Sequence, residues 1–263
     1  MSLSPFDWGL LRVPLAAGLI VLVTHVIFGR EVLARGIIFI DLTIAQIAAL
    51  GVVVAELFSA TLHDWQIQLV GGGAALAASA LLVITEKHWP VLQEALIGCL
   101  YVVAASAAIL VLANNPHGAE HFAQLLAGQI LWVTADRLVP IGMLSSVILV
   151  AWFFVAKGQR AGFYPLFALA VTASVQLVGV YLVFASLILP ALAAHGLGKL
   201  KGYIVGYGVG ILGYVSGLVL SVPTDLPSGP LIVCALAVLA LSVAGLRRLG
   251  NLNLRRVPQS YVL

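Results

Sequence analysis

Eight apolar runs, at 10–29, 36–58, 68–85, 95–113, 138–156, 163–195, 203–221 and 231–246, occupy most of this 263-residue chain. A helix needs about 20 consecutive apolar residues to cross a membrane core, and most of the runs are close to that length. Charged residues make up only 9% of the chain, against about 25% in a soluble domain. Thirteen basic and ten acidic side chains cannot coat a water-soluble globule of this size. The expected fold is therefore an all-α polytopic membrane protein of eight or nine spans, some of them short or broken. It forms a single transmembrane domain over 1–263, with 1–9 as an outer segment and 247–263 as a basic cytoplasmic tail. No room remains for a nucleotide-hydrolysing domain, and no GxxxxGK[ST] phosphate loop occurs.

A net charge of +3 beside so many spans reports topology rather than nucleic-acid binding. Cys99 and Cys234 both sit in apolar runs and read as small core residues, not as a disulfide or metal pair. The first residues lack a basic leader, and no small-residue cleavage signal follows the first run, so Leu10–Phe28 reads as a retained helix.

The run 163–195 is too long for one span and too short for two of full length. Charge decides how it crosses. With the N-terminus outside and two crossings in this run, 11 of the 13 Lys and Arg face inward, leaving Arg12 and Arg137 outside. With one crossing the tally becomes 5 inside and 8 outside. Cytoplasmic loops carry the excess of Lys and Arg, which favours nine crossings with the C-terminus inside; a re-entrant segment satisfies the same rule. Gly179 and Pro190 are the expected break points. On the outer side, Glu120–Trp132 reads as a short amphipathic helix and Pro223–Pro230 as a rigid turn. Gly71–Ala80 and the five glycines of 206–217 let neighbouring helices approach closely.

Polar residues inside spans carry the remaining information. A carboxylate at a helix centre costs about 2.5–3.5 kcal/mol on insertion scales and normally faces an interior or a water-filled path. Asp41 is such a residue. Three roles are open to it: an interfacial cap or partner of Arg35, a lining group of a pathway, or a metal contact. Glu56 lies near the outer end of the same span, about 60° around from Asp41 on a helix of 3.6 residues per turn. Gln46 and Gln176 are intramembrane amides, suited to bonding between helices or to lining a path. Outside, His63, Asp64, His117, Glu120 and His121 could receive a cation. His117 and His121 are a helical turn apart, a ligand spacing, although Pro116 and Gly118 favour a turn. His195, beside Gly196, reads as a helix end at the inner surface. No HExxH or GxSxG motif and no closely paired acids within one span point to catalysis.

Four stretches resemble the ABC-3 family of permeases. Asp225-Leu-Pro-Ser-Gly-Pro-Leu-Ile-Val233 is similar to its DLPxGxxIV. Ser174-Val-Gln-Leu-Val-Gly-Val-Tyr-Leu-Val183, followed by Leu187-Ile-Leu-Pro-Ala-Leu-Ala-Ala194, resembles VGVLLV…LLxPAAxA. Leu125–Thr134 is similar to LLxGxIL-x-VS, and Arg35–Gly51 stands where the family has RxLSxxGDALSHAxLxG. The resemblance implies a permease of the type II ABC importer kind in a bacterial inner membrane, carrying divalent metal, zinc or manganese foremost, and not itself an enzyme. It implies a homodimer embedded in lipid with a central pathway lined partly by 36–58 and 163–195, a cytoplasmic ATPase that uses the ATP, and an extracytoplasmic metal-binding protein. No cofactor resides in the chain itself.

By the same resemblance, the loop Lys157-Gly-Gln-Arg160 (Lys157, Gly158, Gln159, Arg160) presses on the ATPase, and Asp41, Gln46, Glu56 and Gln176 line the pathway. Asp41, and on the outer side His117 and His121, are the metal candidates. The sequence departs from the family pattern at one point. Aligned on Gly51, Gln46 stands at the family's His and Asp41 lies one residue early, about 140° from Gln46 around the helix. The Asp-x3-His pair is absent. Two other readings stay open: a secondary transporter driven by an ion gradient, and an ABC permease for a non-metal nutrient.

Overall fold

The computed structural model describes residues 8–58, 63–112, 130–156 and 160–255. Among them are nine α-helices: α1 (Trp8–Arg35), α2 (Ile40–Phe58), α3 (Asp64–His88), α4 (Gln93–Leu112), α5 (Ala135–Ala151), α6 (Arg160–Val178), α7 (Val180–Ala193), α8 (Lys199–Thr224) and α9 (Ser228–Arg255). In hydrocarbon every backbone N–H and C=O must find a partner within the protein, and helices supply those partners locally. Each apolar run is accordingly one helix, except 163–195, which forms two. Six helices, α1, α3, α4, α5, α8 and α9, are long and apolar enough to cross a membrane. The 19 residues of α2 reach about 28 Å at 1.5 Å per residue.

The break between α6 and α7 is one residue. Gly179 adopts φ +81°, a conformation that a side chain strongly disfavours. The outer ends of both short helices lie at the same end of the bundle. At the start of α6, the Arg35 guanidinium lies 4.3 Å from the Phe163 ring centroid, and Gln93 Nε2 donates to the Tyr164 hydroxyl at 3.3 Å. At the end of α7, Arg247 Nη1 donates to Ala193 O at 2.8 Å and Arg30 Nη2 to Leu197 O at 3.4 Å. Arg30 and Arg35 share the last turns of α1. The segment thus enters from the basic end, turns at Gly179 and returns, as the charge rule requires. Pro190, the second expected break, sits within α7 near its end. There the proline forfeits its own bond to the Ser186 carbonyl, yet the helix runs on for most of a turn to Ala193. His195 follows, exposed at the basic end.

Other expectations change in detail. The outer turn between the last two spans is shorter than Pro223–Pro230, because α8 continues through Pro223 and α9 begins at Ser228. Asp225, at φ 52°, makes the reversal, one of the few non-glycine types that tolerate this region. Cys99 and Cys234 face outward rather than into the core. The surroundings of a span are themselves apolar, so an outward position does not require a polar side chain. Ile130–Trp132 is a 3₁₀ turn; the rest of the expected surface helix, with His117 and His121, lies outside the described residues, as do 1–7 and 256–263.

Helix α1 is the hub. Phe28 packs edge-on against Trp152, Phe163 and Phe167, with ring centroids 5.4, 6.0 and 5.8 Å away. Its other face lies on α8 through residues four apart: Arg30 on Gly202, Val26 on Gly206, Leu22 on Gly210, and then Gly18 under the Tyr214 ring. Gly213 and Gly217 turn the opposite way, to Leu236 and Ile232 of α9. Four of the five glycines of 206–217, all but Gly208, therefore join three helices within one protomer. Helices α2 and α7 are largely enclosed, whereas α3, α4, α5 and α9 form the outer layer with most of their residues outward.

Candidate translocation site

Helix α2 starts abruptly. Gly36, at φ +71°, ends the α1 turn, and four residues later, at Ile40, the chain is helical again. Glu94, in the first turn of α4, accepts the Phe39 N–H at 3.3 Å and so satisfies one of the free amides that open a helix. Thr43 Oγ1 donates to Ile97 O of α4 at 2.9 Å and also reaches Phe39 O at 3.1 Å. These contacts fix the first turn of α2 against α4.

Asp41 sits in that pinned turn and is 1% exposed. Neither carboxyl oxygen has a hydrogen-bond partner. Arg35 is not its partner: Arg35 Nη2 pairs with Glu31 Oε1 at 3.0 Å, and its guanidinium lies over Phe163. Asp41 is enclosed within the protomer rather than turned toward lipid headgroups. Gln46 is equally buried, and both its amide oxygen and nitrogen lack partners. A buried polar atom left unpaired costs about 1–3 kcal/mol. The start of a helix offsets part of the cost for an anion, by about 0.3–1 kcal/mol at exposed sites and more when partly buried. What remains is a polar island within an apolar core, positioned by α4.

The other expected site residues lie elsewhere. Glu56 is exposed near the far end of α2. Gln176 is half-buried on α6 and faces a separate cavity between α3, α5 and α6, whose lining includes neither Asp41 nor Gln46. The structure thus keeps the four residues in three places. Lys157, Gly158 and Gln159 lie outside the described residues, between a π-helical turn at Trp152–Ala156 and Arg160, which opens α6. Among the described residues no three His, Cys, Asp or Glu side chains gather as a metal cage.

Two residues escaped the sequence reading. His25, in the middle of α1, is 1% exposed; its Nδ1 pairs with Val21 O at 2.9 Å and its Nε2 has no partner. The signal was present, a lone imidazole in an apolar run, and carries the same meaning as Asp41. Glu94 gave no such signal, because an acid at a span's first turn is ordinary and its capping role depends on α2 lying alongside.

The family model of the ABC 3 transport family matches residues 8–161 and 157–246. The chain belongs to the ABC 3 transport family. Among solved structures, "PsaBC from Streptococcus pneumoniae in complex with Fab" is similar in fold, with a TM-score of 0.70 and 20% identity over 90% of this chain and 91% of that one. No curated protein matches the chain. As a member of the ABC 3 transport family, the chain is a multi-pass ABC permease of the bacterial plasma membrane. The family-like stretches fall where the backbone departs from plain helix. The VGV segment places Gly179 at the α6–α7 break, and the DLP segment supplies Asp225 and the entry to α9.

Proposed function

We propose that this chain is the membrane subunit of an importer for a divalent metal ion, working with a separate cytoplasmic ATPase, an extracytoplasmic metal-binding protein and a second copy of itself. The reading is supported by family membership and carried by one observation: the buried, unpartnered carboxylate of Asp41 in the first turn of α2. An anion held there without a partner suits a cation that arrives and leaves. A closed cage of three or more ligands would instead retain it. Asp41 accepts the cation transiently, Gln46 offers a neutral oxygen further along α2, and Glu56 stands at the outer approach. Zinc and manganese are the leading cargoes. With a glutamine where the family has histidine, α2 offers oxygen donors only, which suit manganese better than zinc. The loop 157–160 is the proposed seat of the ATPase, and the binding protein docks on the outer side.

The test is reconstitution of the full chain with its ATPase and binding protein in liposomes, measuring uptake of manganese, zinc, iron and cobalt. ATP-dependent uptake is expected, with manganese favoured, and Asp41→Asn should lower it at least tenfold while the assembled complex still hydrolyses ATP. Uptake that needs an ion gradient but no ATP would refute the importer assignment. Unchanged uptake by Asp41→Asn would refute the role of Asp41.

A further inference from the structure

The cavity between α3, α5 and α6 is unused by this reading. Its volume is about 640 Å³, within the ~300–1,000 Å³ typical of small-molecule sites. It lies toward the end opposite the basic one, because Trp65 opens α3, Arg137 opens α5 and Gln176 and Leu177 close α6. Along α3 it runs from Trp65 to Leu76, about 16 Å at 1.5 Å per residue. That is the depth of one leaflet of a hydrocarbon core ~30 Å thick.

The chemistry changes along this depth. At the mouth stand the Arg137 guanidinium, Gln68 and the indole of Trp65, which is 61% exposed; deeper, the walls are mainly leucine. Trp side chains favour the headgroup level. Arg137 is one of only two basic residues placed on the outer side by the topology. Its neighbour Asp136 interacts both with the Thr134 hydroxyl at the start of α5 and electrostatically with Arg137, so a phosphate would share the guanidinium with that carboxylate. The wall on α3 is cut back, since Gly72 and Gly73 have no atom within 4 Å of where a Cβ would stand. Thr172, 7% exposed, lines the cavity, but its Oγ1 is buried and does not open onto it. A cationic mouth above a leaflet-deep apolar shaft is the complement of an anionic amphiphile.

We propose that the cavity seats one acyl chain of an outer-leaflet phospholipid, with the phosphate on Arg137. The phosphate fixes the lipid at the mouth and the chain fills the space left by Gly72 and Gly73. A bound lipid would bridge α3 and α5 alongside α6, which already packs on both.

Native mass spectrometry of the full chain, stripped of lipid in detergent, tests this with three probes: dioleoyl phosphatidylglycerol, dioleoylglycerol and inorganic phosphate. Wild type should hold one phosphatidylglycerol per chain, at least tenfold tighter than dioleoylglycerol, and should not hold phosphate alone. Gly73→Trp, which fills the shaft, should lose the adduct. Gly73→Leu should weaken it, which keeps the test open if the larger side chain impairs insertion. Arg137→Gln should bind phosphatidylglycerol and dioleoylglycerol equally. Retention of the wild-type adduct by both Gly73 variants overturns the proposal, as does binding of inorganic phosphate alone. The proposal also fails if Gly73→Trp disrupts association of two chains while leaving the lipid adduct unchanged, because the cavity is then a contact between copies.

Discussion

The α8–α9 seam gives a quantitative test of the packing. A Cβ placed on Gly217 would stand 2.5 Å from Ile232 Cα and 2.7 Å from Ile232 N. Both are backbone atoms, so no rotamer change relieves the contact. To restore a carbon–carbon separation of about 3.5 Å, α9 must retreat by about 1 Å, loosening Leu236 on Gly213 one turn away. Overpacking of this kind costs about 1–3 kcal/mol. Replacing glycine in a helix with alanine contributes about 1 kcal/mol in the other direction. Gly208, on the same helix, has open space at the same point, so Gly208→Ala carries the propensity gain without the clash. The difference between Gly217→Ala and Gly208→Ala therefore isolates the packing cost, expected at about 1–3 kcal/mol. Unfolding of both variants in mixed detergent micelles, followed by circular dichroism, measures it. Equal stability of the two would show that the helices do not meet at Gly217 as described.

Three further outcomes follow from the same geometry. Asp41→Asn should raise stability by about 1.5–3 kcal/mol in the same unfolding assay, since it removes an unpartnered charge costing about 2.5–3.5 kcal/mol and forgoes a helix-start contribution of about 0.3–1 kcal/mol; a loss of stability would mean that the carboxylate has a partner. Arg247→Gln should destabilise by about 1.5–3 kcal/mol, the worth of a charged hydrogen bond, because its Nη1 holds Ala193 O at the end of α7; an unchanged unfolding midpoint would remove that clamp from the account. In a background lacking Cys99 and Cys234, Arg12→Cys should react with an impermeant maleimide added outside intact cells and Lys201→Cys only after lysis, whereas the same labelling of both would overturn nine crossings.

Most of the fold was legible because a membrane leaves a chain few choices. Run length gave each span, and the asymmetry of Lys and Arg gave the double passage of 163–195, whose turn at Gly179 needs the one residue type that accepts φ +81°. Pro190 misled because proline signals a break only where helix must follow for several turns, and its distance from the end of α7 is a tertiary outcome. The cysteines misled for a different reason: hydropathy separates lipid from water but does not separate the inside of the bundle from its lipid-facing side, since both are apolar.

The same blindness limits the reading of the site. Asp41, Gln46, Glu56 and Gln176 share one sequence signature, a polar residue in a span, yet two are enclosed, one is exposed and one faces a cavity. What distinguishes them is how many helices surround each position. Helix α2 is covered by α3, α4, α6 and α7, so even a residue 140° from Asp41 around it stays in the interior. Its neutral partner at position 46 and its acid at 41 therefore need not share a face to share an environment. The family pattern with Asp and His one turn apart suggests a single ligand pair; the enclosure of α2 shows how a chain without that pair still keeps two polar groups dry. If transport depends on that enclosure rather than on paired ligation, Gln46→His should not restore zinc preference, because the new imidazole would lie about 140° from Asp41. A switch of the reconstituted importer from manganese to zinc on Gln46→His would show that the two positions do converge on one ion.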